Sequence, residues 1–119
     1  MSAFEVTIFH NPACGASRNV LGMIREAGIE PKIVEYLKAP PSRAELERIL
    51  ARAGLNVRDI LRKKAPAYAE MGLDDPALSD DAIFAAIAAH PVLIERPIVV
   101  SPKGARLCRP KEKVFEVLP

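Results

Sequence analysis

A single cysteine set between a β-branched run and a helical repeat is where residue type and spacing in this 119-residue chain could do chemistry. Cys14 stands in His10-Asn11-Pro12-Ala13-Cys14-Gly15-Ala16-Ser17-Arg18-Asn19, just after Phe4-Glu5-Val6-Thr7-Ile8-Phe9. The β-branched and aromatic run predicts a strand that the Asn-Pro pair breaks. Ala16, Val20, Met23, Ile24 and Ala27 then recur at helical spacing, with Gly28 as the stop. Cys14 is therefore expected where strand meets helix, facing the free N–H groups and positive dipole end of the first turn. Such positions lower a thiol pKa from about 8.5 into the range of about 3.5 to 7.5, and the thiolate is the form that attacks or is oxidised. The charge pattern agrees. No acid occurs from His10 to Arg25, whereas Arg18 and Arg25 are cationic and His10 can become so, which leaves the positive end open to an anion. The competing reading makes Cys14 a small buried hydrophobe, the usual fate of a free cysteine.

The neighbours of Cys14 limit its chemistry. Position 17, where a C-x-x-C motif would hold a second thiol, is Ser17, so no adjacent thiol can resolve a mixed disulfide. Ser17 is left either to cap the helix or to donate a hydrogen bond towards the Cys14 sulfur. His10 reads either as a structural hydrogen-bonding residue or as a group that tunes Cys14. Cys108, beside Leu107 in a predicted strand, reads as a packed structural thiol. The second thiol is thus expected from outside, as glutathione or a small dithiol protein. The two cysteines and two histidines lack ligand spacing, and no metal is expected.

The elements that position Cys14 follow from the pattern. Pro31 to Leu37 predicts a second strand, reached through a helix and so parallel to the first. Ala39-Pro40-Pro41 ends it, and Ser42-Arg43-Ala44-Glu45 has the capping-box form that starts a helix running to about Ala53. Asn56 can cap a further run through Leu61, and Ser79-Asp80-Asp81 caps Ala82 to Ala89. Ile98 to Ser101 and Ala105 to Cys108 flank Pro102-Lys103-Gly104, a turn short enough to require an antiparallel hairpin. Lys111 to Leu118 predicts a closing helix. The order is β-α-β, a helical insert over about 42–90, then β-β-α: an α/β fold of the thioredoxin-like (glutaredoxin-like) class with a mixed sheet, in one domain over 1–119.

Composition sets the outer limits. Half the residues are hydrophobic and 27% charged, which excludes a disordered chain. A domain of this length has a radius of gyration of roughly 13 Å and buries about two-thirds of its unfolded surface, enough for a core without staples. The longest apolar run, Ala82 to Ala89, is far short of the roughly 20 residues of a membrane span. The start, Met1-Ser2-Ala3-Phe4-Glu5, lacks the basic-then-apolar run of a secretory signal, so a reducing cytoplasm with both thiols free is expected. The net charge of +2 is spread along the chain rather than gathered into a stripe, so nucleic acid is not an expected partner. No long apolar stripe demands a second subunit, and a monomer is expected.

The segment from His10 to Asn19 resembles the active-site signature of the glutaredoxin-dependent arsenate reductases, the ArsC family. The resemblance continues in order through Pro40-Pro41-Ser42-Arg43, Leu61-Arg62-Lys63, His90-Pro91-Val92-Leu93-Ile94-Glu95-Arg96-Pro97-Ile98-Val99-Val100 and Gly104-Ala105-Arg106-Leu107-Cys108-Arg109-Pro110. It implies cytoplasmic arsenate detoxification with Cys14 as nucleophile. It also implies that Arg62, Arg96 and Arg109 bind the oxyanion and stabilise the thiolate and that Pro97 is cis and helps aim Arg96, while His10, Asn11 and Ser17 are the candidates to support Cys14 from behind. Planar guanidinium groups suit the task, because they hold tetrahedral oxyanions bidentately without losing a proton. Glutathione is then the cosubstrate and glutaredoxin the protein partner, with arsenite as product and no tightly bound cofactor.

Two other readings share this fold. An Spx-type transcription regulator would bind RNA polymerase and switch through an N-terminal C-x-x-C, which Ser17 argues against. A thiol reductase of the same architecture could act on another substrate, because fold alone does not fix function.

Overall fold

The computed structural model describes residues 5–119; the Met1-Ser2-Ala3-Phe4 start, including the first residue of the predicted opening strand, lies outside them. Strands β1 (Thr7–His10), β2 (Lys32–Glu35), β3 (Ile98–Ser101) and β4 (Gly104–Leu107) form one sheet in the order β2-β1-β3-β4. β1 runs parallel to β2, with Ile8 opposite Ile33, because helix α1 (Gly15–Glu26) carries the chain back between them. β3 is antiparallel to β1, with Val99 opposite Ile8, and turns directly into β4 with Ser101 opposite Gly104. This is the mixed thioredoxin-like sheet that the pattern predicts.

The chain divides into two compact units. The first comprises the described residues up to Ala39 together with Arg96–Pro119; the second is Pro40–Glu95, inserted in sequence between β2 and β3. In the first, Val6 just ahead of β1, Ile8 from β1, Val99 from β3, Val20, Leu21 and Ile24 from α1, and Val114 and Val117 near the C-terminus bury one another. Burial of each such side chain contributes about 1.5–3 kcal/mol before chain entropy is subtracted.

Two expectations change in detail here. The inward face of α1 is Ser17, Val20, Leu21 and Ile24, an i, i+3, i+4, i+7 set rotated from the one that begins at Ala16. Ala27 is exposed. A polar residue can take the inward position because its hydroxyl is satisfied there. The closing helix is a 3-10 turn over Lys111–Glu116, in keeping with the three-residue spacing of buried Val114 and Val117.

The second unit is helical. α2 (Arg43–Ala53) starts where Ser42 Oγ accepts the Glu45 N–H at 3.1 Å and ends at Gly54, whose φ of 69° is the left-handed conformation glycine adopts without strain. A 3-10 turn follows over Val57–Ile60, with the Asn56 N–H donating to Asp59 Oδ2 at 2.9 Å. α3 (Pro66–Glu70) is absent from the sequence reading, because five residues are too few to show a helical period. α4 (Asp80–Ala89) is capped by Ser79 Oγ on the Ala82 N–H at 3.2 Å and buries Ile83, Phe84, Ala86 and Ile87. Arg58 ties the loop between α3 and α4, donating to the carbonyls of Leu73, Asp75 and Leu78 at 3.2, 2.9 and 3.0 Å. Among the described residues no helix is long and apolar enough to cross a membrane.

Candidate active site

The loop from Asn11 to Cys14 joins β1 to α1 and is stitched on both sides. The Cys14 N–H donates to Asn11 O and the Ala13 N–H to Asn11 Oδ1, both at 3.0 Å, a turn that an asparagine builds with its own side chain. From the helix, Arg18 Nη1 donates to Pro12 O at 2.9 Å. Ser17 Oγ accepts the Asn11 N–H at 3.1 Å and shares a 2.7 Å hydrogen bond with His10 Nδ1. The Ser17 hydroxyl therefore takes neither of its two predicted roles: it faces back to His10 and the loop backbone, because residue 17 lies on the buried side of α1. His10, buried at the strand end, is held below its ordinary pKa chiefly by burial, with Glu35 opposing and Arg25 and Arg18 adding to the effect. It sits behind the loop as a neutral imidazole at pH 7.

Cys14 is the N-cap residue of α1, with extended backbone, and is partly exposed. Burial works against its thiolate. The Ser17 N–H, the hydrogen bond and charge of Arg96, and the Ala16 N–H together outweigh burial and hold its pKa below the ordinary thiol value. The first turn of α1 contains no acid to offset them. The first-turn N–H groups and one guanidinium thus favour the thiolate, although the sulfur makes no cap hydrogen bond of its own, and the cation is Arg96 rather than the Arg18 or Arg25 of the local charge pattern. The sequence points to the free N–H groups of the first turn, and the structure identifies them as those of Ala16 and Ser17. The signal for them is the N-cap position, since the N–H groups of the first turn lack helical partners.

Arg96 is buried, precedes a cis peptide bond to Pro97, and its carbonyl accepts Arg109 Nη1 at 3.1 Å. Arg109 is exposed, and its own bond to Pro110 is also cis, which the sequence did not suggest. Within the first unit, Arg96 thus links to Cys14 through its guanidinium and to Arg109 through its carbonyl. Arg62 belongs to the helical unit. An isolated bridge pairs Leu61 with Ile94, the Arg62 N–H donates to Leu93 O and the Glu95 N–H to Ile60 O, each at 2.7 Å. Arg62 Nη1 meets Glu95 Oε1 at 3.5 Å.

Cys108 is buried at the end of β4, with its thiol directed to Arg106 O at 3.7 Å. Burial pushes its pKa up to about 12. At neutral pH it is a protonated packed thiol.

Residues 9–117 match the model of the ArsC family. An arsenate reductase of Rhizobium meliloti (strain 1021) is 61% identical over 114 residues, 96% of this chain and 81% of that protein. One from Escherichia coli (strain K12) is 53% identical over 115 residues, 97% of this chain and 82% of that protein. A solved structure described as an arsenate reductase from Vibrio cholerae superposes with a TM-score of 0.93 at 49% identity, covering 98% of this chain and all of that one. The matched span takes in the Cys14 loop, the helical insert and both cis prolines, and on that ground the chain belongs to the ArsC family.

Proposed function

We propose that this chain reduces arsenate to arsenite, with Cys14 as nucleophile and an external thiol system as reductant. The observation that carries the reading is a partly exposed cysteine at the N-cap of α1, above a first turn without acids, where the Ser17 and Ala16 N–H groups and Arg96 favour its thiolate. A thiolate held in this way can attack, and the cation beside it offsets the repulsion between a thiolate and an incoming anion. Relatives named as arsenate reductases at 53% and 61% identity supply the substrate class.

The Cys14 thiolate attacks arsenic, an S–As bond forms, and an arsenic oxygen leaves as water after taking up protons. Arg62, Arg96 and Arg109, the arginines to which the family resemblance points, are the proposed oxyanion ligands, and their fixed charge favours both the bound anion and the thiolate. His10, Asn11 and Ser17 touch no substrate in this scheme; they hold the loop that aims the sulfur. Glutathione then displaces a second oxygen as water, giving Cys14–S–As(V)–S–glutathione. A glutaredoxin thiolate attacks the glutathione sulfur, a mixed disulfide forms, and the electron pair of the broken S–As bond stays on arsenic, which becomes As(III). Water displaces Cys14 and arsenite leaves. No metal or tightly bound cofactor takes part. We place the reaction in the cytoplasm, carried out by residues 1–119 as one monomeric domain with its helical insert.

The test is arsenate-dependent NADPH oxidation with glutathione, glutathione reductase and glutaredoxin, run beside Cys14→Ser. Turnover that requires glutathione and disappears in the variant is expected. Equal turnover by the variant overturns the assignment of the nucleophile, and absence of turnover by the folded parent protein in a working assay overturns the substrate.

A further inference from the structure

The proposed oxyanion ligands are not equivalent, because Arg62 already faces an anion. Its backbone and that of Glu95 are locked side by side by the Leu61–Ile94 bridge and its two flanking 2.7 Å hydrogen bonds. Their side chains meet at 3.5 Å with about a quarter and a fifth of their surfaces exposed, 24% and 20% respectively. A guanidinium shielded to this extent is costly to leave without a counter-charge, so the carboxylate stabilises Arg62 when no ligand is present. The contact nevertheless lies beyond the roughly 2.7–2.9 Å of a close charge-assisted pair. Nor is the carboxylate needed to place Arg62, since the backbone bridge does that.

We infer that Glu95 is a resident carboxylate that competes with the oxyanion for Arg62 and so sets the protein's anion affinity. An arriving oxyanion must displace the Glu95 carboxylate from the guanidinium or share the guanidinium with it, and both carry negative charge. This inference rests on the reading of Arg62 as an oxyanion ligand. Glu95 acts through Arg62 and is a positioning residue for binding, without a chemical step of its own.

Arsenate binding to the full chain carrying Cys14→Ser, which removes chemistry, is measured by calorimetry alone and with Glu95→Gln, Arg62→Ala and both. Glu95→Gln is expected to tighten arsenate binding about 3- to 10-fold, a coupling of ordinary size for contacting charges. A substitution that merely damaged the site would weaken binding. Arg62→Ala is expected to weaken binding by about tenfold or more, and in that background the Glu95→Gln gain falls below about twofold. Glu95→Asp, which retains the charge, stays closer to the parent affinity than Glu95→Gln does. If Arg62→Ala weakens binding but Glu95→Gln does not tighten it, the inference fails and the role of Arg62 stands. If Arg62→Ala has no effect, both fail.

Discussion

The Cys14 thiolate is favoured by the first-turn N–H groups and by Arg96, and of these only Arg96 can be removed by replacing a side chain. Because Arg96 supplies both a hydrogen bond and a charge that lower the Cys14 pKa, Arg96→Ala raises it. The sign for activity follows. A lowered pKa keeps the thiolate populated as pH falls towards that value, so loss of Arg96 moves the acid limb of the rate profile to higher pH. It also lowers kcat/KM by about 10²–10³-fold, the scale of losing one donor aimed at developing charge. Thiolate absorbance at 240 nm against pH checks the first effect and the coupled assay the second; an unmoved absorbance curve would remove Arg96 from the sulfur. Ser17→Ala behaves differently. Its hydroxyl holds His10 and the Asn11 N–H, while the sulfur sees its backbone N–H. The variant is expected to lose about 1–3 kcal/mol of stability by urea titration while its thiol keeps an alkylation profile close to that of the parent. The nucleophile and its electropositive setting were legible in residue types alone. The task of Ser17 was not, since it depends on the rotational phase of α1, which one polar residue within an apolar stripe conceals.

At the scale of elements, what repeated over several residues was legible and what depended on one contact was not. The β-α-β opening and the hairpin declare themselves through runs of four or more patterned residues and the short Pro102-Lys103-Gly104 turn, of which the structure puts Gly104 in β4. Ser42 and Ser79 mark helix starts because a hydroxyl ahead of a helical run satisfies a free N–H. α3 and the 3-10 turn at Lys111–Glu116 lie below the length at which a period can be counted. Nor does any local pattern announce that Arg58 reaches fifteen to twenty residues ahead to three carbonyls. Those bonds fix Leu73 to Leu78, a stretch otherwise held by short turns such as Leu78 N–H to Asp75 O. Arg58→Ala is expected to raise amide hydrogen exchange across Leu73–Leu78 by about tenfold or more, with exchange in β1 and β3 unchanged. Uniform exchange across the chain in that variant would show that Arg58 supports no local structure of its own.

At the scale of the whole molecule the question is where two electrons come from. Reduction of As(V) to As(III) consumes a pair, and the chain holds two thiols, Cys14 and Cys108. One is activated and partly exposed. The other is buried, with its pKa pushed up to about 12, so at neutral pH almost none of it is the thiolate that would attack a disulfide or an arsenic–sulfur adduct. On the proposed reaction Cys14 starts the reduction and the resolving thiol comes from outside, a reading that Ser17 at the position of a second active-site thiol also favours. The expected thiol count with an aromatic disulfide reagent at pH 7 is one fast-reacting group in the native protein and two after unfolding. Cys108→Ala is expected to keep glutathione-dependent turnover within about twofold of the parent, because only a packed side chain has been trimmed. Loss of turnover in that variant, or a Cys14–Cys108 disulfide trapped after a single turnover without glutathione, would make Cys108 the resolving thiol. The burial that raises its pKa would then have to be relieved during the cycle.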